Sequence, residues 1–180
     1  YVNELKSVLG DRYNPACHPH LWSDTAGYYI ADDANSMVAP EMHYNLSVEY
    51  INRITEKCGP LFYHTCTATH PYIENIKKVN NKKEFNWSVG TSMDPAKIIE
   101  LFSGEVLLAP HIGKDIHSEE GLVNLGQNFR NEIEVIEYFL NSMKKNTTMN
   151  IVLHDSILED MELIRSIYKL FYSKGYTPQN

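Results

Sequence analysis

Five times along this chain a short apolar run ends in polar residues and gives way to a helical pattern. The runs are Gly27 to Ala31, Leu61 to Cys66, Phe85 to Val89, Val106 to Pro110 and Asn150 to Leu153. After the first, Pro40 suits the opening turn of a helix. Met42, Leu46, Tyr50 and Ile54 then recur at i, i+4 spacing, and Cys58-Gly59-Pro60 stops the pattern. A helix is predicted from about Pro71 to Val79. Asp94 is placed to cap another that starts at Pro95 and carries Ile98, Ile99 and Phe102. A longer connection from His111 to about Asn128 contains Gly113, Gly121 and Gly126. Ile133, Ile136, Leu140 and Met143 mark the next helix. Leu158, Met161, Ile164, Tyr168 and Phe171 mark the last, with Gly175 as its stop.

Such β-α alternation predicts an α/β fold with a parallel sheet and crossover helices. The runs lack polar alternation, as expected when both sheet faces are covered. Five units fit either an open doubly wound sheet or part of an eight-stranded barrel. The 180 residues fit one domain, or a piece of a larger one. The first residue is Tyr1, so an upstream part is one expectation.

Composition narrows the partners. With 16 Lys and Arg against 23 Asp and Glu, the chain carries a net charge of -7, which argues against general nucleic-acid binding. No apolar run approaches the ~20 residues of a membrane helix. Three cysteines, Cys17, Cys58 and Cys66, do not suggest a disulfide framework. With no recognisable targeting segment, a cytoplasmic location is expected. Sequons at Asn45, Asn86 and Asn146 are read as chance. No GxGxxG, P-loop or GxSxG motif occurs, which lowers dinucleotide, nucleotide-hydrolysis and serine-hydrolase readings.

Asp32, Asp33, His64, Cys66, His111, His154 and Asp155 all fall at or just beyond a predicted strand's C-terminal end. That edge carries the active site in both candidate architectures. His64-Thr65-Cys66 is the sharpest feature. Residues i and i+2 of a strand share a face, so an imidazole and a thiol would project together. That pair suits zinc, and three protein ligands would leave a catalytic position open. His154 is the expected third ligand, with Asp155 and His111 next. Asp32 and Asp33 are expected to serve as base, cation ligand or acceptor for a polar substrate. Tyr63, His111 and Asp155 are expected to bind substrate. His18-Pro19-His20 with Trp22 is read as a loop, and Cys58 as structural.

The run YYIADDANSMVAPEMHYNLSVEYINRI resembles the uroporphyrinogen decarboxylase superfamily, with Ala39-Pro40-Glu41-Met42 at its helix start. FYHTC is similar to that superfamily's His-x-Cys strand, with Thr67 in place of the usual glycine. VGTSMDPAKIIELFSGEVLLAPHIG and NIVLHDSILEDMELIRSIYKLF resemble its later segments, in order, so the likeness covers about residues 27 to 174. The resemblance implies a (β/α)8 TIM barrel, of which this chain holds the C-terminal part. Either the upstream part belongs to it, or this is a short relative whose open edge needs a partner. A homo-oligomer is expected if the chain is complete.

The resemblance also implies two enzyme branches. One is a zinc-dependent methyltransferase that moves a methyl group from methylcobalamin, on a partner corrinoid protein, to a small thiol. His64 and Cys66 match its His-x-Cys positions, while His154 stands nearest its later cysteine. The other is a metal-free decarboxylase (a carboxy-lyase) acting on an acidic tetrapyrrole. Its arginine demand is poorly met by Arg12, Arg53, Arg130 and Arg165, none at a predicted strand end. A non-catalytic partial-barrel binding or assembly protein is the third expectation.

Overall fold

A computed structural model describes residues 27–66, 70–89, 95–112 and 129–176, with positions 4, 7 and 8; the side chains of His70, Pro95, Ala96, Asp155 and Ser156 lie outside that description. Five strands form one all-parallel sheet: β1 (Tyr28–Ala31), β2 (Leu61–Thr65), β3 (Lys82–Val89), β4 (Leu107–Ile112) and β5 (Val152–Leu153). Their order in space is their order in sequence. A doubly wound sheet reverses its strand order at a switch point. Among the described residues this sheet has no such reversal.

The crossovers carry helices. α1 begins as an α-helix at Pro40–His43, passes through a π turn at Tyr44–Val48 and resumes as Glu49–Cys58. Then come α2 (Ile73–Lys77), α3 (Pro95–Phe102), α4 (Glu132–Ser142), α5 (Asp155–Leu158) and α6 (Met161–Ser173). Among the described residues, helix side chains pack on one sheet face. There Leu61, Tyr63, Phe85, Trp87, Leu108 and Ile112 meet Val48, Ile76, Ile99, Phe102, Ile136 and Phe139. The opposite face holds a small apolar group of Phe62 and Ala109, with Tyr29 and Leu107 beside it. His64, Glu84 and Asn86 share its alternation and are buried too. Successive side chains alternate between faces, so each strand contributes a core set and an inner polar set.

Strand positions agree with the sequence reading, and several edges move. β3 starts at Lys82 and not Phe85. β4 runs to Ile112, so His111 lies within it. β5 is only two residues long. Gly59, at φ 93°, ends α1 as expected. Ile98, Ile99 and Phe102 are buried on α3 as read. The cap at Asp94 and the segment 113–128 lie outside the described residues, as do Cys17, His18, His20 and Trp22. Asn86 of the second sequon is fully buried in β3, where glycosylation of the folded chain has no access.

The expected core stripe of α1 is corrected. Met42, Leu46, Tyr50 and Ile54 are 51%, 53%, 55% and 41% exposed. The buried positions are His43, Val48, Ile51 and Thr55. His43 and Val48 are five apart because the π turn adds a residue, which breaks the 3.6 periodicity on which the stripe was read. On α6, Leu158 just before the helix and Met161 and Tyr168 on it are exposed. The core face runs through Leu163, Ile167 and Leu170. Among the described residues no helix is long and apolar enough to cross a membrane.

The register slips by one residue between Leu61 and Phe62, which places Lys82 opposite Leu61. The buried Lys82 ammonium donates to the carbonyls of Ile76 and Val79 and lies 4.9 Å from the Phe102 ring centroid. Burial pushes its pKa down to about 8. The unfolded chain therefore binds more protons between that value and the ordinary ~10.4 of lysine, so stability rises with pH through this window. Ionisation of the Cys66 thiol in the unfolded chain opposes it above about pH 8.5, since burial raises that thiol in the fold, and tyrosine ionisation opposes it above about pH 10. Chemical denaturation from pH 8 to about 9.5 should therefore show a slope of stability against pH that is more positive in wild type than in Lys82→Met.

Candidate metal centre

Two adjacent aspartates at the end of β1 turn to opposite sides. Asp32 is buried and faces the helix layer. Its carboxylate accepts from the Tyr63 hydroxyl at 2.7 Å, His43 Nε2 at 2.8 Å and Ser47 Oγ at 2.9 Å. His43 Nδ1 has no partner among the described residues, so the ring proton belongs on Nε2, where Asp32 receives it. Ser47 stands four residues after His43 on α1, and both side chains reach one carboxylate. Burial raises the Asp32 pKa, but these donors outweigh it and hold it below the ordinary carboxylate value. Burial, then the Asp32 charge, push the Tyr63 phenol well above its ordinary pKa. Tyr63 is thus committed to Asp32 within the core, and its sequence-based substrate role finds no open face.

Asp33 turns the other way. Its Oδ1 accepts the Cys66 backbone N–H at 2.6 Å and stands 3.9 Å from His64 Nε2. His64 Nε2 is 2.8 Å from Cys66 Sγ. One ligand atom from each of Asp33, His64 and Cys66 lies within 4.8 Å of the others, the one such group of three among the described residues. Donors around tetrahedral zinc stand roughly 3.3–3.8 Å apart, and the 2.8 Å from His64 Nε2 to Cys66 Sγ and 3.9 Å to Asp33 Oδ1 bracket that spacing. The donor set of nitrogen, sulfur and carboxylate oxygen is one that zinc takes. The residues fit the ion. His64 is buried, while the Asp33 side chain is 44% exposed, so the cluster opens to solvent on the Asp33 side.

The third ligand-type group at this point is Asp33, and His154, the expected third ligand, stands elsewhere along the sheet edge. β3 and β4 separate β2 from β5, about 14 Å at three strand spacings of ~4.8 Å. His154 meets His111 instead, with ring centroids 6.2 Å apart and planes at 23°. His111 lies beside Ser88 in register, and Ser88 hydrogen-bonds Cys66. Cys66, Ser88, His111 and His154 thus step along the C-terminal edge of four neighbouring strands. Asp155 opens α5, and its side chain lies outside the described residues.

Burial pushes the Cys66 thiol up, and the Asp33 charge adds to this against the lowering bond from Ser88. Without a cation, the thiol is held in its protonated form. A cation at this point reverses the balance, since coordination deprotonates a thiol.

Asn86, Ser88, His43 and Ser47 were not singled out from sequence. Asn86 and Ser88 left a legible trace: two polar residues at i, i+2 inside an apolar run share one face. His43 and Ser47 left a weaker one: their i, i+4 spacing puts them on one helix face, but nothing in the sequence says what that face meets. Comparison with known proteins finds no matching family model and no matching curated protein.

Asp32→Ala should destabilise the fold by about 3 kcal/mol, because it strands three donors, two of them buried. A carboxylate with a depressed pKa stabilises above the unfolded value and loses that contribution as pH falls through the folded one. Acid titration of wild type should therefore show a stability loss below about pH 4 that Asp32→Asn reduces.

Proposed function

We propose that this chain is the C-terminal part of a (β/α)8 barrel, and a zinc-dependent methyltransferase that moves a methyl group from a corrinoid to a thiol. The carrying observation is the Asp33, His64 and Cys66 cluster at the C-terminal edge of a parallel sheet. The sequential strand order and the one-sided helix layer support the barrel reading. The order of motifs and the His-x-Cys strand support the branch.

Each residue has a task. His64 and Cys66 are the nitrogen and sulfur ligands, and Asp33 completes a three-ligand set with room for a substrate. When bound, zinc supplies Lewis acidity that lowers the pKa of a substrate thiol, making it the nucleophile toward a corrinoid-borne methyl group. One thiolate, one carboxylate and one neutral imidazole balance the charge of the ion, so the incoming thiolate makes the set anionic. Ser88 orients Cys66, and His111 with His154 lines the far side of the same edge. The corrinoid protein and the thiol would both approach from that edge.

The arginine pattern disfavours an acidic tetrapyrrole. Arg53 pairs with Glu49 on α1 and Arg130 with Glu134 at α4, both on the surface, and Arg165 is exposed on α6. None of these three stands at the C-terminal strand edge.

Elemental analysis of the purified chain should find about one zinc per chain. Cys66→Ser and Asp33→Asn should each lose most of it, while His154→Ala should keep it. Zinc retained by Cys66→Ser, or lost only in His154→Ala, would refute this ligand set.

A further inference from the structure

Asn86 is fully buried on the inner face of β3, directly across from His64. Its Nδ2 donates to the backbone carbonyl of Ala109, and its Oδ1 contacts His64 Nδ1. The Ala109 oxygen can only accept, so it must receive the amide NH₂. That leaves Asn86 presenting its oxygen to His64, and an amide oxygen can only accept. Turning the amide over would set two oxygens against each other and two nitrogens with them, in a site without water access. The two contacts therefore decide the ring's proton jointly.

We propose that Asn86 is a positioning residue that fixes the Nδ1–H tautomer of His64 and leaves Nε2 as a lone-pair donor toward Cys66 and Asp33. The purpose of the device rests on the metal reading above, but its existence does not. A chain of two buried hydrogen bonds from the β4 backbone settles which nitrogen carries the proton. The ring is then ready to ligate without tautomer exchange or rotation. His64 is 1% exposed, and its Nδ1 lies against the fully buried Asn86 amide.

The test is long-range proton–nitrogen correlation NMR on the metal-free full chain, at about pH 8 where a free imidazole is neutral. The expected result is the Nδ1–H pattern for His64. Asn86→Leu, which removes the acceptor, should lose it. Zinc titration should follow, with affinity about 10–100-fold weaker for Asn86→Leu than for wild type. An Nε2–H pattern or an even mixture in wild type overturns the inference, whatever the zinc affinity. An Nδ1–H pattern in a chain that binds no zinc supports it and removes the metal reading alone. If Asn86→Leu does not fold, the wild-type spectrum still decides.

Discussion

The carboxylate of Asp32 ties three elements into one unit. It closes the end of β1, receives Tyr63 from β2, and receives His43 and Ser47 from α1. The Asp32 backbone N–H donates to the His64 carbonyl at 2.9 Å, which locks β1 to β2 beside the ligand cluster. Past the end of β1 the chain enters a 3-10 turn at Asp33–Met37, and there the Cys66 backbone N–H holds the Asp33 carboxylate on the side of His64 and Cys66. Tyr63 and His64 repeat this division on β2. The core side of the sheet is thus a clamp, and the inner side carries the reactive groups one residue away.

That division explains how so polar a set is held without a large stabilising surface of its own. Asp33, His64 and Cys66 draw their geometry from the backbone N–H of Cys66, from Asn86 and from the clamp beneath. The α1 face that reaches Asp32 passes through the π turn, and the same helix leaves Met42, Leu46, Tyr50 and Ile54 exposed.

Much of this was legible in the sequence, for physical reasons. Five apolar runs bounded by polar residues give parallel strands because both faces of each are covered, and all five lie where they were read. The spacing of His64 and Cys66 placed them together because a strand repeats every two residues. The third member of the His64 and Cys66 cluster was not legible, because strand order decides which ends are neighbours. Asp33 lies beside β2, whereas His154 lies beyond two more strands. Reading Asp32 and Asp33 as a pair also missed that adjacent side chains diverge. On α1 the helical period failed at the π turn, and on α6 a second apolar stripe competed with the core face.

X-ray absorption spectroscopy of the zinc-loaded chain tests the central claim most directly, because it counts sulfur against nitrogen and oxygen around the ion. The account predicts a single protein sulfur at about 2.3 Å with nitrogen or oxygen neighbours at about 2.0–2.1 Å. It also predicts that adding a small thiol brings in a second sulfur. A shell of nitrogen and oxygen alone, unchanged by thiol, would contradict it.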